Sequence, residues 1–394
     1  MFPNLLLLPE IQEFITQNIG KDITKVALQK NPFSEVEWIS ILNQITAKTK
    51  AKGKLPTFYS TKNIIYPTKI SVEQTSSEKT ALYKSSIVFG ESLIDLTGGF
   101  GVDDFFFSKK INHVTHCEIN EELSAIVKYN FLQLKATNIE CYSGNSSEIL
   151  EKLNREFDWI YIDPSRRNDA KGKVFMLKDC LPNVPELLSF YFKYSKNILI
   201  KTAPILDISA GLSELKSVKT IHVVAVDNEV KELLWELDAD YFGEPRIKTV
   251  NILKEKEETF EFILKDNPET PTYSLPHNYL YEPNSAIMKS GGFDEVGIFY
   301  KLNKLHKHSH LYTNSTKIPF PGRVFEIQNS IPYHKTEMKI HLENKQANIT
   351  TRNFPDTVEN IRKKWKIKEG GNVYCFFTTD VNNNKIVLIC TKIK

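Results

Sequence analysis

Residues 94–103, Ile-Asp-Leu-Thr-Gly-Gly-Phe-Gly-Val-Asp, join a short apolar strand to a stretch with a helical pattern. Glycines in such a loop let the backbone turn tightly and pass close to a ligand. A dinucleotide fingerprint is excluded because its sixth position, counted from Gly99, is Asp104, and the Gly-Lys-Ser/Thr ending of a P-loop is absent. Asp95 and Asp103 instead favour a ligand without phosphates, one that carries an ammonium group and hydroxyls.

Short apolar strands alternate with helical stretches between about residues 86 and 265. The predicted strands are Ser92–Leu96, Val114–Cys117, Trp159–Ile162, Ile198–Ile200 and Ile221–Val226. Helices are predicted at Glu121–Lys135 and Asn228–Leu237, and this alternation indicates βαβ units in a largely parallel, doubly wound sheet. Two later runs, Lys248–Leu253 and Thr259–Leu264, predict an antiparallel pair that closes one edge of the sheet.

Polar residues follow the next predicted strands. Glu118 ends the second strand and is placed to accept hydrogen bonds from two ribose hydroxyls. Asn145 lies at the following strand-to-helix turn, where it can hydrogen-bond an adenine amine, and Asp163-Pro164 follows the fourth strand. Ligands of open α/β sheets bind at the carboxyl ends of the strands, so these residues predict one site.

This constellation resembles the class I S-adenosylmethionine-dependent methyltransferases over roughly residues 75–265. The resemblance implies a cofactor site for S-adenosylmethionine formed by Asp95, Thr97, Gly98, Gly99, Gly101, Asp103, Glu118 and Asn145. It also implies that Asp163-Pro164 is the catalytic motif. Ser165-Arg166 stands where amino-methylating enzymes carry proline and an aromatic residue. Asp163 can still accept a hydrogen bond from an exocyclic amine, and such catalysis depends mainly on alignment.

A narrower resemblance spans nearly the whole chain. Its segments are 74–84, 95–103, 162–167, 200–207, 281–284, 320–325 and 352–355. Together they look like a bacterial methyltransferase family with a C-terminal THUMP-like domain. Because THUMP domains are associated with RNA modification, this resemblance implies an RNA methyltransferase.

Four regions are expected along the chain: an N-terminal helical domain at 1–72, a methyltransferase domain at 73–265, a small ferredoxin-like module at 276–318 and a THUMP-like domain at 319–394. Near the end, Ala347–Asn353, a helix at 357–366 and the hairpin Val373–Thr379 with Ile386–Lys392 form a predicted β-α-β-β unit. Asp356 is the predicted N-cap of that helix. The predicted fold class is therefore α/β, a Rossmann-like sheet with a helical N-terminal domain and an α+β C-terminal domain.

The charge is unevenly distributed. Lys and Arg number 11 against 7 Asp and Glu in residues 1–90 and 18 against 12 in residues 266–394, but 22 against 29 in residues 91–265. Basic flanks favour a polyanion such as RNA as partner. Arg166, Arg167 and Lys201 are candidates for substrate binding; surface ion pairs for the arginines and a strand-capping role for Lys201 remain open.

Composition excludes other classes. The five cysteines are single, with no CxxC spacing, and no signal peptide or apolar run of about 20 residues occurs, which predicts a cytoplasmic protein without a membrane span. No metal site is expected, because His306, His308 and His310 are interpreted as part of a solvated basic loop with Lys304. The expected function is methylation of a base nitrogen in structured RNA; a small-molecule methyltransferase and a catalytically silent RNA-binding module stay open as alternatives.

Overall fold

The structure is a computed structural model that describes residues 3–67, 72–166, 176–265 and 269–393. The chain divides into two compact units. The first comprises Met1–Lys219 and Lys231–Gly243, and the second comprises Thr220–Val230 and Glu244–Lys394.

The first unit begins with helices. They are a 3-10 turn at Asn4–Leu7, α1 (Pro9–Gln17), α2 (Ile23–Ala27), α3 (Trp38–Lys54), α4 (Pro56–Ser60) and α5 (Glu78–Ile87). Apolar residues at three- and four-residue spacing, such as Ile11 and Ile15 in α1 or Ile41 and Ile45 in α3, pack into one buried cluster. The helical pattern expected for this region is therefore confirmed.

A mostly parallel sheet follows. Its strands are β1 (Ser92–Asp95), β2 (His113–Glu118), β3 (Ile139–Ser143), β4 (Trp159–Ile162), β7 (Asn197–Thr202) and β9 (Glu229–Asp238), with the short pair β5 (Ser165–Arg166) and β6 (Cys180–Leu181) separate from it. The helices between them are α6 (Val102–Phe107), α7 (Glu121–Gln133), α8 (Ser146–Leu153), α9 (Val184–Tyr191) and α10 (Ile208–Glu214).

The strand order in this unit is β3-β2-β1-β4-β7-β9. The first five strands are parallel, and β9 runs antiparallel to β7. Along the chain, β2 and β3 are added on one side of β1, and β4 and β7 are added on its other side. The direction of strand order therefore reverses between β1 and β4. Such a switch point opens a crevice at the strands' carboxyl ends, where Asp95 pairs in register with Tyr161.

The helix predicted at Asn228–Leu237 is wrong, because this segment forms strand β9. Its consecutive apolar residues 233–235 are all fully buried, as a strand covered on both faces requires. A short apolar run of this kind does not distinguish a buried strand from a helix. The better signal is Asp227-Asn228, where both residues have positive φ and turn the chain.

The second unit contains β8 (Val218–Val226), β10 (Arg246–Ile252) and β11 (Glu257–Ile263). Strand β10 pairs in parallel with β8 and antiparallel with β11, which confirms the antiparallel pair expected from the sequence. The unit also holds a seven-stranded sheet in the order β13-β14-β12-β15-β18-β17-β16.

The strands of that sheet are β12 (Tyr279–Pro283), β13 (Asn303–Lys304), β14 (Tyr312–Asn314), β15 (Gly322–Pro332), β16 (Asn348–Thr351), β17 (Val373–Thr379) and β18 (Lys385–Lys392). Its helices are α11 (Ser285–Ser290), α12 (Phe293–Phe299), α13 (Lys335–His341) and α14 (Val358–Trp365). Strand β16 is parallel to β17, which is antiparallel to β18, so the predicted β-α-β-β unit is confirmed.

Two local expectations in this unit are corrected. The N-cap of α14 is Thr357, whose Oγ1 accepts from the Asn360 N–H, while Asp356 accepts from the Tyr333 hydroxyl. Lys304 and His306, expected in a solvated loop, are buried instead. Lys304 forms an ion pair with Asp294, and His306 forms hydrogen bonds with Asn353 and Asn383. None of these partners belongs to the loop itself, so the local sequence pattern could not predict the contacts.

Within the described ranges no helix is both long and apolar enough to cross a membrane. The same ranges hold no group of three or more His, Cys, Asp or Glu side chains placed to bind a metal ion.

Candidate functional site

The glycine loop leaves β1 at Asp95 and enters α6 at Val102. The Thr97 N–H and hydroxyl both donate to Asp95 Oδ1, at 2.7 and 3.0 Å, and fix the first turn of the loop. Gly99 and Gly101 have φ of 55° and 72°, in the left-handed region that side chains disfavour. The conformation of the loop thus follows from the hydrogen bonds of threonine to aspartate and from the positive φ that glycine permits.

The three glycines serve different purposes. A Cβ on Gly98 would lie 2.1 Å from the His116 ring, and one on Gly101 would lie 2.5 Å from Phe131, so both glycines permit close packing beneath the loop. A Cβ on Gly99 would meet only the Thr97 carbonyl, at 3.7 Å. Gly99 is therefore where the backbone faces open space and can come close to a ligand.

A buried polar cluster supports the loop from below. Asp104 Oδ2 lies 2.6 Å from His116 Nδ1, and both side chains are fully buried. Burial raises the pKa of Asp95 and of Asp104 well above the usual value; the nearby Asp104 carboxyl raises the pKa of Asp95 further, and Asp103 raises that of Asp104. Burial also lowers the pKa of His116, so desolvation favours the neutral form of all three side chains. Asp95 thus stabilises the loop from inside the protein.

Glu118, at the end of β2, is fixed beside the loop. Its Oε2 accepts from the Gly99 N–H at 3.0 Å and its Oε1 accepts from the Asn120 N–H at 2.8 Å. Each carboxylate oxygen keeps a further lone pair for a ligand hydroxyl. The next side chain, Ile119, is 74% exposed and offers an apolar surface beside the carboxylate, a feature that the sequence analysis missed.

Asp163 is tied to the loop and to β7. Its N–H donates to Thr97 Oγ1 at 2.7 Å, which joins the end of β4 to the loop after β1. Its carboxylate forms an ion pair with Lys201 of β7. Burial lowers the pKa of Lys201, but Asp163, Asp103 and Glu232 raise it more, and the net pKa lies above the usual value. Lys201 therefore remains a cation that faces Asp163.

A second ionic group lies next to this pair. Lys84, with no exposed surface, places its Nζ 2.9 Å from both carboxylate oxygens of Glu232, 3.0 Å from Ser76 Oγ and 3.2 Å from Asp103 Oδ1. The Ser76 and Tyr161 hydroxyls both donate to Asp103 Oδ2 at 2.8 Å. This gives the segment 74–84 a role that its sequence did not reveal.

The balance of charge in this group is negative. Burial raises the pKa of Asp103, but Lys84, Lys201 and the two hydroxyls lower it below the usual value, so Asp103 is a carboxylate. Three carboxylates (Asp103, Asp163, Glu232) then face two ammonium groups. A cationic ligand would offset the excess.

Two cavities lie at this edge of the sheet. The first, of about 160 Å³, is lined by the loop, residues 74–76, Tyr161 and Asp163. The second, of about 440 Å³, is lined by Glu118, the start of α7 and N-terminal residues such as Gln44 and Tyr66. Gln44 exchanges two hydrogen bonds with the Tyr66 backbone, so the N-terminal helices form a fixed wall of the second cavity.

Most of the expected cofactor residues come together. Those lining the first cavity are Asp95, Thr97, Gly98, Gly99, Gly101 and Asp103, and the expected catalytic residue Asp163 lines it with them. Glu118 lines the second cavity, and Pro164, which follows Asp163 in the chain, is buried. Lys201, whose role was open, lies in β7 and pairs with Asp163.

Two further expected residues, Asn145 and Arg166, are exposed. Asn145 is exposed and caps α8, its Oδ1 accepting from the Ser147 N–H at 2.9 Å. Arg166 is exposed in β5, and Arg167 lies outside the described residues. The residues that the sequence analysis missed are Ser76, Lys84, Asp104, His116, Ile119, Tyr161 and Glu232.

The comparisons with known proteins agree with this architecture. A family model described as THUMP domain-like matches residues 322–392, and one described as a ferredoxin-like domain matches residues 279–321. The fold is thus α/β, with a Rossmann-like sheet of the class I methyltransferase type and C-terminal ferredoxin-like and THUMP-like domains, as expected.

One solved structure matches the chain over its full length. It is a "putative methyltransferase" from Porphyromonas gingivalis W83, with 27% identity, complete coverage of both chains and a TM-score of 0.87. An rRNA methylase from Streptococcus thermophilus is 14% identical (41% of this chain, 93% of that chain, TM-score 0.30). TrmK of M. capricolum, in complex with S-adenosyl-homocysteine, is also 14% identical (41% and 68%, TM-score 0.31). No curated protein matches the chain.

Proposed function

We propose that this protein is an S-adenosylmethionine-dependent methyltransferase that acts on a base nitrogen of structured RNA. The observation that carries the proposal is the direct link between the glycine loop and Asp163 across the switch point of the sheet, through Thr97. The similarity to the Porphyromonas gingivalis protein supports the class of reaction, and the THUMP-like domain supports RNA as the substrate.

The residues present fit the cofactor. S-adenosylmethionine supplies an electrophilic methyl group on a sulfonium, and it also carries an ammonium group. The excess negative charge around Asp103 and Asp163 suits these cations. Glu118 would accept from the ribose hydroxyls, the loop from Asp95 to Asp103 would surround the methionine portion, and Asn145 would contact the adenine.

Asp163 would position the nucleophile. Its carboxylate is held in one orientation by Lys201, whose raised pKa keeps it charged at neutral pH. The carboxylate oxygen that remains accessible can accept a hydrogen bond from an exocyclic amine and align the nitrogen lone pair. Because the rate gain arises from alignment, even a small displacement of Asp163 is costly.

The test is transfer of a tritiated methyl group into RNA from a strain that lacks the gene, followed by mass spectrometry of the nucleosides. The wild-type protein should label one modified nucleoside, and Asp163→Asn should lower the rate by about 100-fold. Cofactor affinity of this variant should change little. The control is Lys196→Met, which removes an exposed ammonium group from the residue directly before β7.

Failure takes distinguishable forms. Cofactor binding with no label in any RNA would point to a silent RNA-binding module, and label in small metabolites alone would point to a small-molecule methyltransferase. Either result would overturn RNA methylation.

A further inference from the structure

A third cavity lies entirely within the second unit and takes no part in the site described above. Its volume is about 720 Å³, within the range of natural ligand sites. Its walls come from β10, β11, β12, α11, β15 and β18, together with Asn228, the segment before β15 and Arg352 just after β16.

Three sequence segments that the proposed chemistry leaves unused meet in this cavity. They are segments 281–284, 320–325 and 352–355, which contribute Glu282, Arg323 and Arg352, respectively. Glu282, only 3% exposed, accepts from Arg323 Nε at 2.6 Å and from Arg352 Nη2 at 3.1 Å. One buried carboxylate thus fixes two guanidinium groups and leaves one positive charge in excess.

The rest of the lining adds to this excess. Lys256 Nζ lies 3.0 Å from Glu258 Oε1, so these two side chains form an ion pair whose charges cancel. Lys317 and Lys392 are exposed, and neither forms an ion pair with another residue that the structure describes. Five basic side chains therefore face two carboxylates, and this excess of positive charge favours an anionic ligand such as a phosphate.

An aromatic wall stands beside the basic one. Phe320 is half-buried, with its ring centroid 5.3 Å from Tyr281 and 5.4 Å from Tyr300 in edge contacts that fix its orientation. Ile318 and Val324 also line the cavity. A simple inorganic anion makes no use of such a surface, whereas a nucleotide brings both a phosphate and a planar base.

We propose that this cavity binds a nucleotide of single-stranded RNA. Its phosphates lie against Lys317, Lys392 and the two arginines, and its base lies against Phe320. The inference rests on the proposed function to the extent that this RNA is part of the methylated substrate, and it assigns the cavity as the docking site of that substrate.

The experiment measures fluorescence anisotropy of a labelled single-stranded RNA of about 12 nucleotides against the full chain, over a range of KCl concentrations. Lys317→Ala/Lys392→Ala should weaken binding about tenfold or more and reduce the salt-dependence slope by about 1.4, the value for two phosphate contacts on a single strand. Both lysines are exposed, so the fold should be preserved.

The matched control is Lys335→Ala/Lys339→Ala, which removes two exposed lysines of α13 that do not line the cavity. Its affinity should stay within about twofold of wild type. Equal losses in the two double variants would show general surface attraction and overturn the proposal. An unchanged affinity in Lys317→Ala/Lys392→Ala, or no RNA binding by the wild type, would overturn it as well.

The base contact has its own test. Phe320→Ala should weaken RNA binding by about tenfold with an unchanged salt slope, and Phe320→Tyr should restore the affinity. If AMP binds the wild type and is lost in the lysine variant while RNA does not bind, the cavity takes a free nucleotide and the RNA assignment is wrong. Titration of S-adenosylmethionine into the same proteins keeps the outcomes separate, because its failure would refute the proposed function and not the cavity.

Discussion

Lys84 of the first unit and the two cavity lysines of the second unit occupy opposite environments. Lys84 in the first unit has no exposed surface, and two carboxylates and a hydroxyl surround its ammonium group. Lys317 and Lys392 in the second unit are exposed beside a cavity that carries more positive than negative charge. A buried charge must be matched within the protein, whereas an exposed excess remains available to a ligand. Substitution of Lys84 should therefore affect stability, whereas substitution of Lys317 or Lys392 should affect ligand binding.

The largest effect is expected from Lys84→Met. It leaves the carboxylates of Asp103 and Glu232 buried without their shared partner, and breaking a buried pair in this way costs about 3–5 kcal/mol. The midpoint of urea unfolding should fall. Unfolding can be monitored by the fluorescence of Trp159 and Trp235, which are both buried in the first unit.

Lys79→Met on the same helix is the control, because Lys79 is exposed. Its unfolding free energy should stay within about 0.5 kcal/mol of wild type. If Lys84→Met were equally harmless, the buried network would have no structural importance.

Gly98→Ala and Gly99→Ala should separate packing from ligand access. The first forces a methyl group against the His116 ring and should cost about 1–3 kcal/mol in unfolding free energy. The second has room for its methyl group and costs about 1–2 kcal/mol through its positive φ. At a similar or smaller loss of unfolding free energy, Gly99→Ala should lose more cofactor affinity than Gly98→Ala in a calorimetric titration. Intact cofactor affinity in this variant would contradict the placement of the ligand at Gly99.

The neighbouring carboxyls Asp103 and Asp104 should respond oppositely to pH. The lowered pKa of Asp103 means that it stabilises the fold above the unfolded-state value near 4 and that this contribution is lost as the pH falls through its folded-state value. The raised pKa of Asp104 means that its contribution is complete at low pH and is lost as the pH rises above about 4.

Urea unfolding across this pH range would compare wild type with Asp103→Asn and Asp104→Asn. The advantage of wild type over Asp103→Asn should shrink toward acid pH, and its advantage over Asp104→Asn should shrink toward neutral pH by up to about 1.4 kcal/mol per pH unit. Parallel curves for both variants would disprove the opposite shifts.

The smallest effect concerns Asn145. Asn145→Ala removes the cap of α8 and should cost about 1 kcal/mol, whereas Asn145→Ser should restore the cap. Because serine lacks the amide, the cofactor affinity of Asn145→Ser isolates the proposed adenine contact. A wild-type affinity in this variant would leave capping as the role of Asn145.

The sequence predicted the features that depend on local pattern. Glycine spacing and acids at strand ends located the loop, Glu118 and Asp163, because parallel strands bring their carboxyl ends to one edge. The Lys84–Glu232 pair joins residues 148 positions apart, and no local pattern predicts such a contact. Strand β9 was missed for a different reason, since its buried apolar residues carry neither helical nor strand periodicity.

The edge of the sheet between the glycine loop and Glu118 is the proposed binding site for S-adenosylmethionine. Calorimetric titration of wild type, Glu118→Ala and Glu140→Ala tests it most directly, Glu140 being an exposed glutamate of the neighbouring strand β3. We expect one cofactor per chain and no change in affinity in Glu140→Ala. The affinity should be at least tenfold weaker in Glu118→Ala, because losing charge-assisted hydrogen bonds costs about 1.5–3 kcal/mol. An absence of binding to wild type, or equal affinity in all three proteins, would contradict it.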